Sequence, residues 1–296
     1  MIRILALLAA ILSCASVADA QALYRIYFFD VGQGDAVFIR SPSGPNVLYD
    51  AGDSPTKVMA HLDAIGASGI DLVVASHNHA DHIGGLADVI RRYRPRFYLD
   101  NGLPATTLTY RRVLEAVQSA GSQVLDPTSR QIRIGEGAFI DVLPPSGIQG
   151  WDQNDNAVGL ILSIGMFRLS VGGDAEQRQW NWWMEHHSRL LQPLQVHKAS
   201  HHGSTNGDTA AAVALLSPKA VIISVGQNNG YGHPRPEMLS LYAMQGSVIY
   251  RTDLNGTIVV DVEPSGRYSI RVERGEGANP PPSSSSAAAP SVGPPR

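Results

Sequence analysis

The chain has 296 residues and a single cysteine, Cys14, which lies among the first 20 residues, just past an N-terminal apolar run. Beyond those residues there is no thiol, so disulfide cross-links, cysteine metal sites and thiol catalysis are all excluded for the rest of the protein. A fold of this size can rely on its apolar core instead of cross-links. A basic excess is also missing: 23 Lys and Arg face 26 Asp and Glu, a formal net charge of −3. Composition therefore does not point to nucleic acid through bulk charge. No internal repeat is present, which excludes solenoid and propeller architectures.

The one long apolar run, Ile4 to Leu12, follows Arg3 and precedes the small-x-small triplet Ala18-Asp19-Ala20. That is the pattern of a secretory leader, and the run is too short for a stable membrane anchor. Residues 1–20 are expected to be a signal peptide, leaving residues 21–274 as one domain without a stable anchor, exported to the periplasm or the extracellular medium. From Gly275 to Arg296 the chain is mostly Gly, Pro, Ser and Ala, which cannot bury a core and is expected to be a disordered tail.

Between the ends, hydrophobic periodicity predicts three short strands from Leu23 to Tyr49, then alternating helices and strands. The expected helices are Thr56–Ile65, Ile83–Arg92, Thr109–Ser119, Glu176–His187, Thr209–Leu216 and Pro236–Gln245. A meander followed by alternating elements, with the plan repeated in the second half, fits two mixed sheets face to face with helices outside: an α/β protein of the four-layer αββα class.

Ser76-His77-Asn78-His79-Ala80-Asp81-His82 follows the apolar run Leu72 to Ala75. Three imidazoles and a carboxylate at this spacing match the donor types that zinc and manganese accept. The end of a buried strand is also where open α/β layers place ligand sites. Other polar clusters share this post-strand position: Asp50 to Asp53, Asp174, His201-His202 and, after a short loop, Gly232-His233-Pro234. Converging strand ends would give one site with enough side chains for two ions and a bridging carboxylate. Neutral ligand imidazoles need their second ring nitrogen fixed, a task that suits Asp50 or Asp53. Asp35, in the turn Gly32-Gln33-Gly34-Asp35, either lines the same edge or only closes that turn.

These strings resemble the metallo-β-lactamase-fold hydrolase superfamily. Within it, Phe28 to Ala36, Lys198-Ala199-Ser200-His201-His202-Gly203-Ser204, Gly232-His233-Pro234 and Thr252 to Thr257 are similar to the hydrolase domain of ComEC-type DNA-uptake proteins. The resemblance implies two divalent ions, zinc or manganese. It places His77 and His79 on one ion and Asp81, His82 and His233 on the other, with Asp174 bridging. Asp81, His202 and His201 are the expected catalytic groups; one of the two histidines would protonate a leaving oxygen, and Gly203 and Ser204 would offer backbone N–H groups to an anion. The sequence departs from the superfamily where many members carry a further histidine: the loop Trp151 to Asn156 has none, so Asn154, Asp155, Asn156 or water would have to serve the first ion.

The function expected first is cleavage of a phosphodiester, with single-stranded DNA a candidate substrate. The alternatives are hydrolysis of a carboxylic ester, lactone or lactam, and a non-catalytic secreted binding protein. His61, His186, His187 and His197, on expected helix or strand bodies, are expected to be ordinary surface or core residues, and Lys198 a solvated strand residue. The arginines at 91, 92, 94, 96, 111 and 112 read as a solvated face before they read as a phosphate-binding surface.

Overall fold

A computed structural model describes residues 23–276; the expected leader and the tail beyond residue 276 lie outside them. The chain opens with β1 (Tyr24–Phe28), β2 (Val37–Arg40) and β3 (Val47–Tyr49), followed by α1 (Pro55–Ala64) and β4 (Leu72–Val74). Next come α2 (Ala80–Ile83), α3 (Leu86–Tyr93), β5 (Phe97–Leu99), α4 (Leu108–Ala120) and β6 (Gln123–Leu125). The second half holds β7 (Gln131–Gly135), β8 (Ala138–Leu143), β9 (Gly159–Ile164), β10 (Phe167–Val171), α5 (Gln177–His186), β11 (Val196–Lys198), α6 (Ala210–Leu216) and β12 (Ala220–Ile223). It closes with α7 (Pro236–Met244), β13 (Val248–Arg251), α8 (Thr252–Asn255), β14 (Ile258–Val262) and β15 (Tyr268–Val272).

Two sheets form, in the orders β15-β14-β1-β2-β3-β4-β5-β6 and β13-β12-β11-β10-β9-β8-β7. The period-2 alternation of the strands explains the layers. Ile26, Phe28, Val47, Tyr49, Leu72 and Val74 face the second sheet and share a core with Leu160, Leu162, Leu169 and Ile222. Their neighbours Tyr27, Phe29, Leu48, Val73 and Ala75 face the other way, under Val58 and Leu62 of α1, Val89 and Ile90 of α3 and Val113 of α4. Trp180 and Trp183 of α5 pack on the far side of the second sheet with Ile161 and Leu216. The result is the expected αββα sandwich.

Two local differences from the sequence reading stand out. The helix predicted from Ile83 starts earlier, at Ala80, and breaks at Gly84-Gly85, so Asp81 and His82 sit on a helical turn and not on a loop. The break lets the backbone pack closely: a side chain at Gly84 would meet Asp53 O and one at Gly85 would meet Ala51 O. The edge strand β6 has an exposed Gln123-Val124 pair and too few residues to show a period. Three of the arginines read as a solvated face make local surface contacts. Arg91 pairs with Asp88, Arg92 with Asp63, and Arg94 donates to the carbonyls of Ser119 and Ala120.

The parallel strands β3, β4, β10, β11 and β12 all end on one rim of the sandwich, and this is where the polar clusters meet. Tyr49 ties the sheets together there: its hydroxyl donates to Val158 O at 2.7 Å, and Val158 N donates to Ser76 O at 2.8 Å. Removing a buried hydrogen-bond donor costs about 1–3 kcal/mol. Tyr49→Phe should lower the unfolding free energy by that amount, read in urea as a lower midpoint with an unchanged m value; an unchanged midpoint would show that the tie contributes nothing.

Candidate metal centre

The site is built on Asp50, at the end of β3. It is fully buried with φ at +58°, in the left-handed region that most residues avoid. This conformation turns its carboxylate back across β4. Oδ1 accepts from Ser76 N at 2.7 Å, while Oδ2 accepts from Ser76 Oγ at 2.7 Å and lies 2.8 Å from His82 Nδ1. The proton of His82 is thereby held on Nδ1, and Nε2 turns towards Asp174 Oδ1 at 3.2 Å. His202 is oriented in the same sense. Its Nδ1 lies 2.8 Å from Ser224 O, which can only accept, so Nδ1 donates and Nε2 faces Asp174 Oδ1 at 3.3 Å and Asp81 Oδ2 at 3.4 Å.

Asp81, His82, Asp174 and His202 each place one ligand atom within 4.8 Å of the others. Close backbone approach makes this possible. Gly34 has φ +122°, and a side chain there would sit 2.1 Å from Asp81 O; Gly173 has φ +54°, and one there would sit 2.5 Å from Ser76 Cβ. His82 Nε2, His202 Nε2 and Asp174 Oδ1 are buried without a hydrogen-bond partner. Three converging orphan atoms in a two-nitrogen, two-oxygen set fit a divalent cation of the zinc or manganese type.

The electrostatics point the same way. Burial opposes charge on His202, but Asp174, Asp81 and Asp35 outweigh it and push its pKa up to about 9. Burial likewise opposes ionisation of Asp174, and His202 and His82 outweigh it, holding the carboxyl well below its usual range. His77 is the reverse case: burial, with His82 beside it, keeps the ring neutral.

His77 and His79 lie beside this cluster. The rings of His77 and His82 are 4.2 Å apart, while His77 Nε2 and the exposed His79's Nδ1 are 3.0 Å apart and hydrogen-bond to each other. They form a pair of imidazoles apart from the four-residue set. Of the Asn-rich loop, Asn156 is consumed locally: its Oδ1 accepts from Ser146 and Gly147. Asn154 gives its amide to Glu176 Oε1 at 3.1 Å and keeps a buried, unpartnered Oδ1.

Four expectations are corrected. His233 stands outside the four-residue set, because it lies at the end of a loop clamped by Asn229, with its ring 5.6 Å from that of His201; His202 takes the place expected of it. Burial and the neighbouring His201, His202 and Arg235 push the pKa of His233 down to about 4. Asp53 is exposed and pairs with Lys57 at 3.2 Å, so it supports no ligand. Lys198 is fully buried, not solvated: it donates to Gly173 O and pairs with Asp35. Ser204 N–H is already bonded to His201 O, so it is not free for an anion.

Asp35 does belong to the site. Buried, it lies 3.8 Å from His82 Nδ1 and 3.6 Å from His202 Nδ1. Two residues carried no sequence signal. Glu176 holds an oxygen 3.3 Å from His201 Nδ1, while His201 Nε2 is 3.7 Å from Asp174 Oδ2. Asp208 Oδ2 accepts from Ser200 N and Tyr242 Oη and lies 2.9 Å from His197 Nε2. It braces the segment in which His201 and His202 adopt φ of +49° and +55°. His197, a buried residue of β11, is thus a member of that brace.

The raised pKa of His202 gives a signed pH dependence for metal-free protein. Its contribution is complete below the ordinary value of 6.5 and is lost as pH rises through about 9. The Tm in a chelator should fall over that interval, and added zinc or manganese should raise it more at pH 9 than at pH 6.5, where protons compete for the ligands. Asp174→Ala should remove the metal-dependent rise. A rise of equal size at both pH values would refute the assignment of His202 as a ligand.

Comparison with known proteins places this geometry. Residues 29–227 match the model of the metallo-beta-lactamase superfamily. ComE operon protein 3 of Bacillus subtilis is 26% identical over 254 residues, covering 79% of this chain and 32% of that protein. Competence protein ComA of Neisseria gonorrhoeae is 25% identical over 256 residues, covering 83% and 33%. The chain thus spans about a third of the length of these relatives. Among solved structures, a metal-dependent hydrolase of the beta-lactamase superfamily aligns with TM-score 0.52 at 16% identity, covering 83% of this chain and 98% of that one. CmlA, a diiron beta-hydroxylase from Streptomyces venezuelae, aligns with TM-score 0.53 at 16% identity, covering 81% and 54%; at such identities the likeness concerns the fold alone. With its fold, its His and Asp cluster and the matched residues in agreement, the chain belongs to the metallo-beta-lactamase superfamily.

Proposed function

We propose that this protein is an exported metal-dependent phosphodiesterase that acts by hydrolysis. The observation that carries the reading is the arrangement around Asp174. One carboxylate oxygen faces His82 and His202, and the other faces His201, which is backed by Glu176. A divalent cation held by Asp81, His82, Asp174 and His202 supplies Lewis acidity, which lowers the pKa of water and balances charge on phosphoryl oxygens. His77 and His79, with Asn154 Oδ1 as a candidate oxygen donor, would serve a second ion, and Asp174 is the residue placed to face both. Manganese suits that oxygen-containing set as well as zinc does.

The chain's own groups supply the proton. His201 has a side chain 20% exposed, whereas His202 is buried, its Nδ1 bonded to Ser224 O and its Nε2 facing Asp174 and Asp81 within the cation set. His201 is therefore the proton donor to the leaving oxygen, and Glu176, beside its Nδ1, orients the ring. Similarity to ComE operon protein 3 and competence protein ComA, with the resemblance to ComEC-type DNA-uptake proteins, supports a nucleic-acid phosphodiester over an ester, lactone or lactam. Among the described residues no helix is long and apolar enough to cross a membrane. Export rests on the leader pattern at residues 1–20.

The test is turnover of single-stranded DNA, bis-p-nitrophenyl phosphate, a lactone and nitrocefin by zinc- or manganese-loaded protein. Phosphodiester cleavage abolished by Asp174→Ala is the expected result; turnover of the lactone or nitrocefin alone would overturn the reading. His201→Ala should lower kcat on DNA by about 10²–10⁴, and by much less on bis-p-nitrophenyl phosphate, because nitrophenolate leaves without a proton. Mass spectrometry of the exported protein should give an N-terminus at Gln21; an intact Met1 would refute cleavage.

A further inference from the structure

His201 leads outward as well as inward. From the metal centre a series of rings runs to the surface: His82 and His202 at 5.4 Å between centroids, His202 and His201 at 6.2 Å, His201 and His233 at 5.6 Å, and His233 and Tyr231 at 5.9 Å. The last two rings are within 26° of parallel. Tyr231 leans towards His233 on one side and is 63% exposed. An aromatic ring presented this way at the mouth of a site loses apolar contact unless a flat partner covers it.

The loop that holds Tyr231 is pinned. Asn229 Nδ2 donates to Gly226 O and His233 O, and Asn229 Oδ1 accepts from His233 N. At its far end Arg235 N donates to Gly203 O, which joins the loop to the segment bearing His201 and His202. The ring is therefore held in a fixed place relative to the metal centre. Next to it, the guanidinium of the exposed Arg235 folds over Gly232. Among the described residues the arginines in ion pairs are 25, 91, 92, 178, 251, 267, 271 and 274, so Arg235 has no carboxylate partner.

An exposed planar ring and an unpaired guanidinium on one pinned loop, the guanidinium over the residue that follows the ring, match the two parts of a nucleotide. We propose that Tyr231 and Arg235 form a nucleotide subsite: a base stacks on the outer face of Tyr231, and Arg235 binds the phosphate beside it. This deepens the phosphodiesterase reading on which it rests. It makes the substrate single-stranded nucleic acid, because a base in a duplex has both faces already stacked. Recognition by stacking is tolerant of base identity, and it needs no basic net charge when one guanidinium sits at the point of contact.

The test is fluorescence anisotropy with full-length, metal-loaded protein and two labelled phosphorothioate octamers that resist cleavage, one oligothymidylate and one abasic. Wild type should bind the thymidylate more tightly than the abasic strand by about 5- to 150-fold, the range of stacking contributions per base. Tyr231→Ala should close that gap, Tyr231→Trp should keep it, and Arg235→Ala should weaken both strands. No gap in wild type, a gap that survives Tyr231→Ala, or no measurable binding of either strand would each overturn the proposal. Failure of the phosphodiesterase reading is seen separately, in the absence of bis-p-nitrophenyl phosphate turnover, which involves no base. Protein that binds thymidylate through Tyr231 but cleaves nothing would keep the subsite and lose the activity.

Discussion

Everything at the rim of this sandwich answers to one constraint, the concentration of carboxylates away from water. Asp35, Asp50 and Asp174 are at most 2% exposed, and the side chain of Asp81 is 29% exposed. Four carboxylates carry −4 and the buried Lys198 supplies +1, which leaves −3 before any imidazole is counted. Unbalanced charge of that size is not tolerated in a protein interior. Two protonated histidines, His82 and His202, reduce it to −1; divalent cations balance it and also satisfy the orphan nitrogens. The site is thus an acid cluster that needs positive charge, and its histidines are oriented so that either protons or metal can provide it.

That orientation depends on backbone strain borne in a few places. Asp50, His201 and His202 all lie in the left-handed region, and each is held there by buried hydrogen bonds. Ser76 fixes Asp50, while Asp208, itself bonded to Tyr242 and His197, fixes the start of the His201-His202 segment. Strain of this kind persists where the surrounding structure over-determines it. Here it aims two imidazole Nε2 atoms at one carboxylate, from strands that belong to two different sheets.

The relation of activity to substrate follows from the two sides of Asp174. The inner side faces His82 and His202 and is suited to charge. The outer side faces His201, and from there a path of rings reaches Tyr231 at the surface. The proposed chemistry and the proposed recognition are adjacent because His201 and Arg235 belong to segments joined through Gly203 O.

The αββα architecture and most of its strands were legible in the residues alone, because period-2 alternation and post-strand glycines are local properties of the chain. So was the metal character of His77 to His82 and Asp174, since ligand types at close spacing are themselves the signal. The division of labour was not legible. Whether His202 or His233 completes the four-residue set depends on where two loops end, and adjacent residues such as His201 and His202 cannot be told apart by sequence. Only the fold shows that one is buried and bonded to Ser224 while the other faces Glu176. Lys198, Glu176 and Asp208 are invisible for a related reason. A charged residue on a strand or near a turn reads as solvated until the tertiary structure removes the water around it and leaves another charge or a polar group as its partner.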